Sequence, residues 1–325
     1  MEDISVVVTC YNEVEYIEEA LKSILYQSCY DNISEIIVVD DGSEDNSEEV
    51  IRGWEDRFDK LCYVYQENQG LPGARNTGIE RCSGEFIALL DGDDLWLEER
   101  LERQLNSVED HPDVGLVYSD FYVFEEGVDD GVDDSRERRY CNRYEYGDDD
   151  VLQQFFVHGG PIIPSTTLIN RDCFDTVGSF DPTLLRGQDT DMWLRIAGEY
   201  PIHHVNEPLV LKRQRDDSLG ADVEEKARYL LQVTDKIVDL YPELEPLQQK
   251  RNAKIYGGVA RHLAVSGERT RAVKATLRAI RNDPAALKQY ATLAFALLPV
   301  STSQLRQLRG QVQEAKSYVK SYVHE

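Results

Sequence analysis

The stretch Phe86-Ile87-Ala88-Leu89-Leu90-Asp91-Gly92-Asp93-Asp94 is an apolar run that ends in three closely set carboxylates. Three mutually repelling acids add nothing to a strand, but oxygen ligands are what a hard divalent cation requires. Mg²⁺ takes one or two carboxylates and completes its shell with substrate phosphate oxygens. A competing reading has the acids capping a helix that begins near Leu95-Trp96-Leu97. Two other apolar runs end in related chemistry, Thr9-Cys10-Tyr11-Asn12-Glu13 and Asp40-Asp41-Gly42-Ser43. An aromatic ring, hydrogen-bonding acids and a cation site in one crevice are the parts that grip a nucleoside diphosphate. An Asp-Asp-Gly-Ser segment alone is more often only a turn. The signal lies in the combination, in order, each member following an apolar run.

The elements that must position these groups follow from periodicity. Apolar runs at 4–9, 33–39, 61–66 and 86–90 predict strands, and helical spacing fills 13–27, 45–58, 72–81 and 98–109. Such alternation predicts an α/β fold with a mostly parallel central sheet, helices on both faces and right-handed crossovers. Ligands of such sheets bind beyond the carboxyl ends of the strands, where the three polar turns fall. A further strand is expected at 114–118. Residues 125–150 are rich in Asp, Glu, Arg and Gly without an apolar period, which predicts a surface hairpin or loop. Order returns at 161–169, followed by a helix at 189–200 and a last strand at 208–212.

From about residue 222 strand signals vanish and helical periods run through 229–240, 248–266 and 272–281. The expected organisation is a catalytic domain at 1–221 and a C-terminal helical extension at 222–325. Its last part, 287–322, is apolar, broken by Pro299, then basic with Arg306, Arg309, Lys316 and Lys320. Two readings stand for it: an amphipathic helix on an anionic membrane surface, or a helix packed on the domain or a partner chain.

The segments Val7-Val8-Thr9-Cys10-Tyr11-Asn12-Glu13, Val39-Asp40-Asp41-Gly42-Ser43, Gly73-Ala74-Arg75-Asn76 and Leu90-Asp91-Gly92-Asp93-Asp94 together resemble the family 2 glycosyltransferases. Val177-Gly178-Ser179-Phe180-Asp181 and Gln188-Asp189-Thr190-Asp191-Met192-Trp193 resemble that family's acceptor-side motifs. The resemblance runs from about residue 4 to 218. It implies a GT-A fold and transfer of a sugar, with inversion, from a UDP- or GDP-linked donor to a glycan or a lipid-linked (polyprenyl- or dolichyl-phosphate) acceptor. It places Thr9 and Tyr11 beside the nucleobase, Glu13 on base or ribose, and Asp41 as acceptor of the base N–H. Arg75 would reach the pyrophosphate or order the acids. Asp93 would bind Mn²⁺ or Mg²⁺, with Asp91 at the ribose or in the metal's shell. Asp189 falls where the family has its general base, with Asp191 as runner-up, and Gln188 replaces the usual Glu beside it. Arg213 and Arg215 fall where the family has a basic or histidine-bearing loop that closes on the pyrophosphate; the His is missing here. Trp193 reads as core.

Composition narrows the alternatives. The formal net charge is −26, with 61 acids against 35 bases spread along the chain. Without a basic stripe, such a chain repels nucleic acid. The acidic balance, with Arg favoured over Lys, resembles proteins of salt-loving organisms, in which ionic strength screens self-repulsion. The six cysteines form no C-x-x-C pair, so neither a zinc site nor a disulfide framework is indicated. No signal peptide is expected, since Met1-Glu2-Asp3 offers no basic n-region before the first strand, and no apolar run reaches membrane-span length. The expected location is therefore cytoplasmic, peripheral on the cytosolic membrane face if the tail binds lipid. A Rossmann oxidoreductase is disfavoured because the first turn, 9–13, contains no glycine. A nucleotidyltransferase would want a glycine-rich basic loop there. A non-catalytic nucleotide-sugar-binding protein of the same fold is the remaining alternative, and the presence of both Asp93 and Asp189 argues against it.

Overall fold

A computed structural model describes residues 3–125, 138–140, 151–160, 162–214 and 223–297. The chain begins with β1 (Ile4–Cys10), α1 (Ile17–Leu25), β2 (Ile33–Asp40), α2 (Ser47–Glu55), β3 (Leu61–Tyr65), α3 (Gly70–Ile79) and β4 (Phe86–Asp91). All seven residues of β1 are buried. Continuous apolar runs of this kind belong to parallel strands covered on both faces. Ile17, Ala20, Leu21 and Ile24 line the buried side of α1 at helical spacing. A two-residue strand, β5 (Leu95–Trp96), follows the acidic turn, and α4 (Arg100–Asp110) comes after it. The three acids therefore occupy a turn between strands and cap no helix. Next come β6 (Leu116–Glu125), β7 (Arg138–Tyr140), α5 (Val151–His158), β8 (Thr167–Asn170), α6 (Asp172–Val177), α7 (Gln188–Glu199) and β9 (Ile202–Gln214).

The sheet runs β3-β2-β1-β4-β8-β6-β9-β5, with β7 paired to β6. As the alternating pattern predicts, β3, β2, β1 and β4 are mutually parallel. Beyond β4 the directions mix. β8 is antiparallel to both β4 and β6, β5 is antiparallel to β9, and β6 is parallel to β9. β6 and β9 are longer than the apolar periods at 114–118 and 208–212 suggest. In their register Ser119 faces Val205, Asp120 faces Pro208 and Phe121 faces Val210, so Asn206, Glu207 and Leu209 are extra residues on β9. A bulge at Pro208 hides the strand's period, and Pro tolerates such a position because no ladder hydrogen bond is asked of it.

The main core packs α1 and α4 on the sheet through Ile4, Val6, Val8, Ile24, Val38, Ala88, Leu90, Trp96, Leu101 and Leu105. The chain divides into two compact units, Met1–Ala221 with Asp235–Leu244, and Asp222–Thr234 with Glu245–Glu325. Helix α8 (Val223–Leu240) contributes to both, and α9 (Glu245–Val265), α10 (Arg269–Asn282) and α11 (Leu287–Leu297) complete the second. That unit has its own small-residue core of Ala227, Val259, Ala260, Leu263, Ala272 and Ala275. Arg215, most of 125–150 and the basic stretch 298–325 lie outside the described residues.

Candidate active site

Parallel pairing puts the carboxyl ends of three strands level. Cys10 pairs with Asp40 and Thr9 with Asp91 across β1. Above them lies a crevice of about 330 Å³ lined by Thr9, Tyr11, Glu13, Asp41, Asn68, Leu71, Asp91, Asp93 and Lys212. Five of the expected donor-site residues (Thr9, Tyr11, Glu13, Asp41 and Asp91) and the expected metal ligand Asp93 thus share one wall. Tyr11 is 46% exposed, which leaves its ring accessible for packing on a ligand.

The turns are tied to one another. Asn12 adopts a left-handed conformation at φ 56°, which Asn tolerates better than most residues. Its N–H donates to Ser43 Oγ at 2.9 Å, and its Oδ1 accepts from the Glu44 N–H at 2.8 Å. Glu13 N–H donates to Ser47 Oγ at 3.0 Å. The two adjacent acids of the second turn divide their tasks. Asp40, buried, accepts from the Ser43 N–H and the Tyr63 hydroxyl, both at 2.8 Å. Asp41 lines the crevice, its Oδ1 held by Gln66 Nε2 at 2.7 Å and the Gln69 N–H at 2.8 Å. Alternation along the backbone separates a buried acid from one facing the crevice.

The third turn is similar. Gly92 permits close approach: a Cβ there would lie 2.9 Å from the Thr9 carbonyl oxygen. Asp91 Oδ1 accepts from Arg75 Nη2 at 2.7 Å and from Thr9 Oγ1 at 3.3 Å. Burial would raise the Asp91 pKa, but the Arg75 guanidinium and the Lys212 ammonium outweigh it and hold it below the usual range. Asp94 is fully buried; Ser165 Oγ donates to it at 2.6 Å and the Arg213 N–H at 3.1 Å. Burial, aided by Asp93 and Asp91 and opposed by Lys212, pushes the Asp94 carboxyl up to about 7. Asp94 is thus the acid that fastens the turn to β9. Asp93 and Asp91 line the crevice. Among the described residues no group of three or more His, Cys, Asp or Glu side chains is arranged to hold a metal. Two carboxylates facing a crevice do suit a hard cation that takes its other ligands from a phosphate-bearing substrate.

Neither Arg75 nor Arg213 is among the residues that line the crevice. Arg75 is 2% exposed, lies 5.5 Å from the Phe180 ring centroid and pairs with Asp91, a contact that suits the second of its two expected roles, ordering the acids. Arg213 is buried, with Glu19 at 2.8 Å, the Asp93 carbonyl at 3.1 Å, and the rings of Tyr16 and Phe124 at 4.5 and 4.7 Å. Its neighbour Lys212, on the opposite face of β9, supplies the positive charge in the crevice. Strand alternation could have indicated that only one of the two can face inward. Burial disfavours the Lys212 ammonium, but Asp94, Asp91, Asp93 and Asp189 outweigh it and raise its pKa.

The acceptor-side motifs are joined to the donor side by Asn76, which exchanges two hydrogen bonds with the Phe180 backbone at 2.8 and 2.9 Å. Gly187, at φ 74°, caps the start of α7 in a left-handed conformation. Asp189 lies in the first turn, half-buried, its Oδ1 accepting from the Thr190 N–H at 2.7 Å. Asp191 is fully buried and bound to Arg195 Nη2 at 2.7 Å and Lys236 Nζ at 3.0 Å. This corrects its reading as an alternative base: an acid enclosed by two cations and shut off from solvent cannot reach an acceptor hydroxyl. Arg195 continues to the carbonyls of Val177 and Ser179, so the Asp191–Arg195 pair holds the Gly178-Ser179-Phe180 segment. Trp193 is core, donating to the Ile162 carbonyl and set edge-on to Phe180. Among the histidines, His203 meets Ser107 at 2.6 Å and His204 meets Asp120 at 2.7 Å.

Lys236 also holds Asp181 at 2.8 Å. Burial raises the Asp181 pKa, but Lys236 and Thr183 overcome it and bring it down to about 2. A carboxyl depressed in the folded state stabilises the fold above its unfolded pKa, and that contribution is lost as pH falls through the folded value. Wild type should therefore lose about 2 kcal/mol from this group between roughly pH 4 and pH 2. Lys236→Met should be less stable at pH 7, and urea midpoints for the two proteins should converge in acid. Curves that stay parallel across that window would contradict this account.

The family model described as Glycosyl transferase family 2 matches residues 5–178. An uncharacterized glycosyltransferase of Rickettsia prowazekii is 32% identical over 220 residues, covering 65% of this chain and 63% of its own length. One from Methanocaldococcus jannaschii is 30% identical over 222 residues, covering 67% of this chain and 73% of its own. The chain thus spans less than two thirds of the length of the first of these. Among solved structures, Staphylococcus aureus TarS 1–349 in complex with UDP-GlcNAc superposes with TM-score 0.63 at 18% identity, over 86% of this chain and 81% of its own. The mannosyltransferase of Pyrobaculum calidifontis in complex with GDP-Man and Mn²⁺ gives 0.60 at 22% identity, over 92% and 83%. These likenesses carry the fold, a GT-A arrangement.

Proposed function

Because the chain belongs to glycosyl transferase family 2, we propose that it moves a sugar, with inversion, from a UDP- or GDP-linked donor to a glycan or lipid-linked acceptor. The observation that carries this reading is the shared crevice: Tyr11 and Asp41 for the base, and Asp91, Asp93 and Lys212 for the diphosphate. Asp41 is already oriented by Gln66 and Gln69, so it meets a base N–H without reorganising. Asp93 and Asp91 are the residues that would hold Mn²⁺ or Mg²⁺, and the ion would supply charge neutralisation on the departing nucleoside diphosphate. Asp189 takes the proton of the acceptor hydroxyl as its oxygen bonds to the anomeric carbon. The bond from that carbon to the diphosphate breaks, and its electron pair leaves on the phosphate oxygen. One displacement needs one base, and Asp189 supplies it.

A lipid-linked acceptor would be met at the cytosolic membrane face. Among the described residues no helix is long and apolar enough to cross a membrane. The second unit instead exposes Leu287, Tyr290 and Leu297 along α11, at 80%, 44% and 64%, a surface suited to peripheral contact.

Calorimetry of the full chain at high salt with UDP- and GDP-sugars, each with and without Mn²⁺, tests the reading. One nucleotide class should bind more tightly with Mn²⁺ and should be released as the diphosphate when acceptor is added. Binding of a donor with no turnover on any acceptor would favour the non-catalytic alternative. Absence of all nucleotide binding would overturn both.

A further inference from the structure

Lys212 lines the crevice beside Asp93 and beside Asp91, which is also paired with Arg75. Its backbone is fastened to the acidic turn: the next residue's N–H donates to Asp94 Oδ1 at 3.1 Å, and that residue's Nε donates to the Asp93 carbonyl at 3.1 Å. On either side of it, Leu211 pairs with Leu95 across β5 and Lys212 itself with Val123 across β6. The residue is therefore carried on a paired strand, not on a flexible loop. With Arg213 turned toward Glu19, Tyr16 and Phe124, alternation sends Lys212 to the crevice side, where it lines the wall with Asp91 and Asp93. Among the described residues lining that crevice it carries the only positive charge. Asp189, the proposed base, also feels its charge.

We propose that Lys212 is a resident cation of the donor crevice, neutralising the Asp91–Asp93 pair in competition with a divalent ion and gripping the nucleoside diphosphate when that ion is absent. This rests on the glycosyltransferase reading, since it takes the diphosphate as ligand. The physics gives the residue two opposite effects. A fixed ammonium beside two carboxylates repels a second cation, so it weakens binding of the bare metal ion. The same ammonium attracts a diphosphate, so it strengthens binding of the nucleotide without metal. A structural role alone would move both affinities in the same direction, through loss of fold.

Lys212→Gln and Lys212→Arg separate these effects. Titration of Mn²⁺ alone should show Lys212→Gln binding about tenfold more tightly than wild type, from removal of one nearby like charge. UDP or GDP, whichever wild type prefers, titrated in EDTA should bind Lys212→Gln about tenfold more weakly. Lys212→Arg, which keeps the charge, should stay close to wild type in both titrations. Because the Gln variant removes one positive charge beside the acids, its melting temperature should rise more on adding Mn²⁺ than wild type's does. Equal Mn²⁺ affinity in wild type and Lys212→Gln, or unchanged nucleotide binding in EDTA, would overturn the proposal while leaving the glycosyltransferase reading intact. A wild type that binds neither nucleotide even with Mn²⁺ would overturn both.

Discussion

Asp93→Ala should abolish sugar transfer, lowering kcat/KM by on the order of 10³-fold, equivalent to about 4 kcal/mol of transition-state stabilisation. It should also remove the Mn²⁺-dependent part of nucleotide binding, while the melting temperature stays within a few degrees of wild type. The expectation follows from how the three acids of one turn differ. Asp94 is buried and occupied by Ser165 and the Arg213 N–H, so its loss would disturb the junction of β4, β5 and β9. Asp91 has one oxygen committed to Arg75 and Thr9, so its loss would leave a buried guanidinium without its carboxylate. Asp93 lines the crevice and is half-buried, so of the three it can be truncated with least damage to packing. Its phenotype therefore reports chemistry. Calorimetry with Mn²⁺ and the preferred nucleotide, run beside a transfer assay and a thermal melt, checks all three statements. Retention of more than a tenth of wild-type activity would show that the cation is held elsewhere.

The N-terminal half of the sheet was legible because each of β1, β2 and β4 is an unbroken apolar run that ends in a polar turn. The crevice followed from that alone, since parallel strands of similar length must end at the same edge. What could not be read was the side on which a residue emerges once pairing is unknown. Arg213 was the residue expected at the phosphates, yet on β9 it is Lys212 that lines the crevice while Arg213 meets Glu19. Arg75 had two open roles, and its burial and its pairing with Asp91 could not be read from the sequence. The short elements were equally silent: β5 has two residues and β8 four, too few for a period to show. The Asp191–Lys236 contact joins residues 45 apart in sequence, and no local pattern announces it. One signal was present and would have been enough for Asp191. Arg195 stands four residues after it, and such spacing on a helix makes a pair.

The same helix provides the other large effect. Asp189→Asn should lower kcat by on the order of 10³-fold, within the usual range for loss of a general base, and leave the donor's Kd within about twofold. Two residues along a helix rotate a side chain by roughly 200°, so Asp189 and Asp191 leave α7 on opposite sides. One is half-buried at the first turn, near enough to Lys212 to influence it; the other is enclosed with Arg195 and Lys236. Asn keeps the size of Asp189 and can still accept from the Thr190 N–H, so the start of α7 should survive the change. Asn cannot take a proton, so a surviving fold with bound donor and no transfer isolates that function. Asp191→Asn is the matching control. It removes the charge between two cations and should cost about 3 kcal/mol of stability, with activity falling only as the folded fraction falls. If Asp189→Asn weakened donor binding as much as turnover, its carboxylate would belong to the diphosphate site. The base would then have to be sought among other groups facing the acceptor side. If instead the two variants traded phenotypes, the burial of Asp191 would have been misread, and with it the separation of structure from chemistry along α7.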